Sequence, residues 1–113
     1  MSVCLEKVAE LVQNYLQNIA VGLYTLLNRR SLAKYHMRLS ELIVKHPLKA
    51  FKLLEEVYSR DSALIIMKNV LAVAVGDPLR AEEAVARLAR GDEEYARRLF
   101  EEACKRFKPT PLQ

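Results

Sequence analysis

Residues 3–28 read VCLEKVAELVQNYLQNIAVGLYTLLN, and the way this stretch folds decides the architecture. Leu5, Val8, Val12, Tyr15, Ile19, Leu23 and Leu26 recur every three or four residues, while Glu6, Glu10, Gln13 and Gln17 take the opposite side. That is the period of an amphipathic helix. At about 1.5 Å per residue the stretch makes a rod of roughly 39 Å, whereas the helices expected after it are only ~18–22 Å long. The rod outruns its companions, so its apolar side needs further cover. A second copy packed on the seam Leu5, Val8, Val12, Tyr15 and Ile19 supplies it, which predicts a homodimer. Gly22 is the weak point, because a break there leaves two ordinary bundle helices instead.

Outward from the rod, few glycines and prolines punctuate long runs of helix formers, and the chain reads as an all-α bundle of five to six helices. Ser31 is the expected N-cap of a second helix ending at Lys45, with Leu32, Tyr35, Leu39, Leu42 and Ile43 inward. Pro47 opens a third that reaches Tyr58 through Leu48, Phe51, Leu54 and Val57. Asp61 is the expected cap of a fourth, which Gly76 ends as a left-handed residue before Asp77-Pro78 starts the fifth. Gly91 stops the fifth after Arg90, and Asp92 caps a sixth that turns Ala96, Leu99, Phe100, Ala103 and Phe107 inward. The fourth helix is apolar nearly all round and should be the central element, enclosed by the first, third, fifth and sixth. Residues 1–108 read as one domain, and residues 109–113, with Pro109 and Pro111, as an extended tail.

A repeat shows at an offset of 31 residues: His46-Pro47-Leu48-Lys49-Ala50 lies over Asp77-Pro78-Leu79-Arg80-Ala81, and Asp61 lies over Asp92. It suggests a short stack of helical hairpins resembling tetratricopeptide-like arrays, although Pro at a first helical position and Asp at a cap are what any two helices share.

The 113 residues are 51% apolar and 28% charged, the balance of one globular domain. Cys4 and Cys104 stand far apart, without the dense spacing of a secreted disulfide scaffold. They are expected to act as small hydrophobes in a cytoplasmic protein. Glu6, Lys7 and Glu10 interrupt any leader-like apolar opening. The most apolar run, residues 63–75, falls short of the roughly 20 residues a bilayer demands, so no membrane is implied. Two distant histidines and two distant cysteines make no metal set, and no catalytic triad, paired buried carboxylates or nucleotide loop can be assembled. The chain therefore reads as a protein without cofactor or metal, and not as an enzyme.

Charge is concentrated. Residues 29–60 hold eight bases against three acids, +5 of a chain total of +4. Arg30, Lys34 and Arg38 recur every four residues, with Arg29, Lys45, Lys49 and Lys52 close in sequence. Such a stripe is usually a solvated face, but it can also neutralise phosphates, which makes a small basic nucleic-acid-binding protein the alternative reading, with Tyr35 or His36 alongside. Arg30 and His36 also form an Arg-x5-His spacing similar to that of the helical HEPN ribonucleases. There the pair cleaves RNA, His moving a proton and Arg stabilising an anionic transition state. This chain lacks the polar residue that commonly follows the Arg, and a surface His on a basic helix accounts for the spacing as well. At the other end, Glu93-Arg97-Glu101-Lys105 and Glu94-Arg98-Glu102-Arg106 form two i,i+4 chains of alternating sign, a lattice that suits a protein working hot.

Leu26-Leu27-Asn28-Arg29-Arg30, Leu39-Ser40-Glu41-Leu42, His46-Pro47 with Phe51, Leu54-Glu55-Glu56-Val57-Tyr58 and the apolar 63–75 helix together resemble small archaeal helical output domains associated with signalling proteins. The resemblance covers residues 20–76 and rests largely on packing positions; Ser59-Arg60 stand where those domains usually have Gly. It implies an interaction or output role with no catalytic residues. Taken together, the sequence favours a non-enzymatic interaction module that binds another protein.

Overall fold

The described residues of the opening stretch are helical throughout, in two segments. The computed structural model describes residues 3–19 and 21–105; α1 is Val3–Ile19 and α2 is Val21–Tyr35. The rod expected over residues 3–28 is described as two helical segments of 17 and 15 residues, with position 20 between them outside the described residues.

The expected second helix is also redrawn, for a reason that lies in two polar side chains. Ser31 does not start a helix; it sits inside α2 and is fully buried. Its hydroxyl donates to the Met37 carbonyl at 2.6 Å, and the Leu39 amide donates to the Asn28 Oδ1 at 2.9 Å. Between these bonds the chain turns at His36, whose φ of 58° is left-handed and whose amide closes α2 on the Leu32 carbonyl at 3.0 Å. A new helix, α3 (Leu39–Lys45), starts beyond it, preceded by Arg38, which makes no side-chain cap bond.

The remaining elements are α4 (Pro47–Val57), α5 (Arg60–Val75), α6 (Pro78–Ala89) and α7 (Glu94–Lys105). That makes seven helices and no strand among the described residues, against the five to six expected. Pro47 opens α4 as expected. Ser59, not Asp61, caps α5, its hydroxyl accepting from the Ser62 amide at 3.2 Å. Gly76 ends α5 at φ 77°, a left-handed conformation that costs glycine nothing, and Asp77 Oδ1 accepts from the amides of Leu79 and Arg80 at the head of α6. Gly91, at φ 88°, follows α6, and Asp92 Oδ1 accepts from the Glu94 amide at 3.1 Å. The expected repeat is therefore unequal at its caps: Asp77 and Asp92 accept helix-start amides, whereas His46 makes no side-chain cap bond and Asp61 is not the cap of α5.

α5 is the central element, packed against α1, α4, α6 and α7, with Ala63, Met67, Val70, Leu71, Ala74 and Val75 buried. Leu39, Leu42, Ile43, Leu53, Leu54, Leu99 and Phe100 complete the core around it. Distant side chains lock the layers together. Glu93 Oε1, ahead of α7, accepts from the Leu48 amide in the first turn of α4 at 3.2 Å, where a carboxylate also meets the positive end of the helix dipole.

Two expectations near the chain ends are corrected. Cys4 on α1 and Cys104 on α7 are not separate hydrophobes; they are joined in a disulfide, with their Cα atoms 5.0 Å apart. Their separation in sequence said nothing about separation in space, and the argument for a cytoplasmic home drawn from it falls away. The charged residues at and within α7 reach outward and sideways: Glu93, just ahead of it, turns to Leu48, Glu102 pairs with Arg80 of α6, and Arg97 lies 3.8 Å from Glu94 at i,i+3. Phe107 and the tail at residues 109–113 lie outside the described residues.

Candidate functional site

The inward stripe of α1 leads to the site. Val8 and Val12 are fully buried and Leu16 nearly so, while Leu5 and Tyr15 are partly buried against the same core. These expected seam residues are covered by the chain's own α3, α5 and α7, against which α1 packs. The stripe then runs past its cover: Ile19, at a register that points inward, is 55% exposed. On α2 the inward positions Tyr24, Leu27 and Ser31 are buried, and beside them Leu23 and Leu26 are 44% and 43% exposed. The uncovered apolar side expected of the opening stretch is seen at Ile19, Leu23 and Leu26.

Beneath this ridge lies a groove of about 230 Å³, lined by Leu16, Ile19, Leu23, Tyr24, Leu27, Leu39, Tyr58 and Ile66. α1 and α2 form one wall; Tyr58 at the end of α4 and Ile66 on α5 form the other. Its polar groups are two phenols. Burial pushes the Tyr24 hydroxyl above its ordinary pKa, and the Ser40 hydroxyl bonded to it and the nearby Arg38 charge pull it partly back. The Tyr58 hydroxyl is buried without a hydrogen-bond partner among the described residues, and burial raises its pKa as well. The groove offers shape and apolar contact.

A sequence signal for this face exists. From residue 11 to residue 28 there is no Asp, Glu, Lys or Arg, eighteen positions in a chain that is 28% charged. Periodicity alone points to the buried stripe; the absence of charge on every side of the helix points to the surface that stays apolar.

The basic residues separate in space. Lys34 Nζ pairs with Glu56 at 2.8 Å, and Lys34 and Lys49 place their ammonium groups 5.6 and 5.7 Å from the Tyr35 ring centre. Arg38 lies with Glu6, Glu10 and Glu41 on a polar cleft of about 370 Å³, and Lys45 with His46, Arg97 and Glu101 on another of about 220 Å³. Arg29 and Arg30 are exposed on α2 and Lys52 on α4. What reads as one stripe is a Tyr35-centred cluster plus charges dispersed among acidic neighbours. Arg30 sits in the body of α2 and His36 in the left-handed turn that follows it, both exposed.

Among the described residues no group of three or more His, Cys, Asp or Glu could hold a metal ion, and no helix is long and apolar enough to cross a membrane. The chain matches no family model, no curated protein and no solved structure.

Proposed function

We propose that this chain is a non-enzymatic helical interaction module that docks its partner on the apolar groove at the α1–α2 junction. The observation that carries the reading is the half-exposed ridge Ile19, Leu23 and Leu26 standing beside a groove walled almost wholly by hydrocarbon. Fully burying a Leu or Ile side chain is worth about 1.5–3 kcal/mol, so three half-exposed ones leave several kcal/mol of apolar burial to be gained by contact. Contiguous patches of this kind, unlike scattered single residues, mark interaction sites. The likeness of residues 20–76 to small archaeal output domains supports the same role. The α4–α5 and α6–α7 pairs, each opened by a Pro at its first position, read as a short stack of hairpins, the first of which gives Tyr58 and Ile66 to the groove wall.

The test is binding of the apolar dye anilinonaphthalene sulfonate to dilute protein. The dye fluoresces with the wild-type chain, loses most of that signal with Leu23→Asp, and keeps it with Ile65→Asp, a substitution on α5 outside the groove. Dye binding indifferent to Leu23 contradicts the proposal.

A second reading, nucleic-acid binding, draws on the Tyr35 ring with the Lys34 and Lys49 ammonium groups 5.6 and 5.7 Å from its centre and Lys52 further along α4. A ring and three cations can stack a base and neutralise phosphates. It predicts single-stranded RNA binding that weakens steeply between about 50 and 200 mM salt and is lost in Lys49→Glu. Absence of binding at the lower salt removes this reading.

A further inference from the structure

We infer that the occupant of the groove is a second copy of this chain, docked face to face about a two-fold axis. The inference rests on the reading of this face as a docking surface and adds the identity of what docks.

Two properties of the face single out self-contact. First, knob and hole lie side by side on it: Ile19 and Leu23 rise half-exposed at the edge of a groove floored by the buried Leu16, Leu27 and Leu39. In a two-fold contact the same patch serves both subunits, so a ridge next to a matching groove is satisfied twice by its own image. Second, close to a two-fold axis each residue meets its own copy, and a charge there meets a like charge. The run from residue 11 to residue 28, which supplies the ridge and one wall, carries none. Other faces differ: the shallow groove between α5 and α6 is flanked by Lys68 and Glu82, and the cleft below α1 by Glu6, Glu10 and Arg38. Near a two-fold axis, where a residue meets its own copy, a charge has no opposite partner, and an uncharged face avoids that conflict. Loss of charge at the centre separates interfaces from ordinary surface, and homodimer interfaces are the more apolar ones.

The experiment is sedimentation equilibrium of the full chain over a wide concentration range, run beside dye binding on the same samples. The wild-type chain approaches twice its 12.9 kDa mass as concentration rises, and its dye fluorescence per chain falls in step. Leu23→Asp and, separately, Leu26→Asp stay at the single-chain mass with an unchanged helical circular dichroism spectrum; both sites are half-exposed, so the fold tolerates the charge. Ile65→Asp still doubles. A wild-type chain that stays at the single mass at every concentration overturns the second copy. If the dye then still binds in a Leu23-dependent way, the groove stands as a docking face for another occupant; if the dye does not bind either, both readings fall. A doubling that survives Leu23→Asp and Leu26→Asp, or is lost equally in Ile65→Asp, places self-contact elsewhere and also overturns the inference.

Discussion

The Asn28 carboxamide oxygen, on α2, accepts the amide hydrogen of Leu39 at 2.9 Å and so caps the start of α3 from eleven residues away. Arg38, the residue at the cap position itself, makes no such bond. One polar side chain on the inner face of α2 therefore sets where the next helix begins and holds Leu39 at the edge of the groove. Replacing a helix cap by Ala typically costs ~1 kcal/mol, within a range of about 0.5–2. Asn28→Ala is expected to lose about that much in urea unfolding, and Asn28→Asp, which keeps the acceptor, to recover most of it. An unchanged midpoint for Asn28→Ala denies the cap its role.

This bond also shows why part of the fold was hidden in the sequence. Gly76, Asp77-Pro78 and Gly91 were legible because a left-handed stop and a carboxylate cap act within two or three residues. α5 was legible as the centre because its apolar residues nearly encircle it. The α2–α3 turn was not: Ser31 looks like a cap in sequence, and only packing turns its hydroxyl toward Met37 and aims Asn28 at Leu39. For the same reason the first periodic stripe pointed to Val8 and Val12, which the chain covers itself, while the exposed face was written in the uncharged run of residues 11–28.

The Cys4–Cys104 bond spans 100 residues and ties the start of α1 to the end of α7. In the chain-entropy picture a loop of about that length stabilises by ~4.7 kcal/mol, near the top of the range for disulfides. Reduction, or Cys4→Ser with Cys104→Ser, is expected to lower stability by about 2–5 kcal/mol with the helices retained. Indifference of the melting temperature to reductant contradicts this.

The Tyr58 hydroxyl, buried with no partner among the described residues, is a cost the fold carries, since an unsatisfied buried polar group is worth about 1–3 kcal/mol of destabilisation. Tyr58→Phe is expected to leave stability unchanged or raise it by up to ~1 kcal/mol. A clear loss shows that the hydroxyl has a partner in solution.

Burial raises the pKa of both Tyr24 and Tyr58 above the ordinary value of 10.0. Below pH 10 both are neutral in the folded and the unfolded chain, and their contribution is fully present. Above it the unfolded chain ionises first and binds fewer protons than the folded one, so stability falls as pH rises. Urea unfolding from pH 9 to pH 11 is expected to show this loss, less steeply in Tyr58→Phe than in the wild type.

The most direct measurement of the central claim is a concentration series of methyl and amide NMR spectra. Shifts that move with protein concentration are expected at Leu16, Ile19, Leu23, Leu27, Tyr58 and Ile66, the walls of the groove. Movement confined instead to Ile65, Lys68 and Glu82 on the α5–α6 face, or no movement at any concentration, contradicts the account.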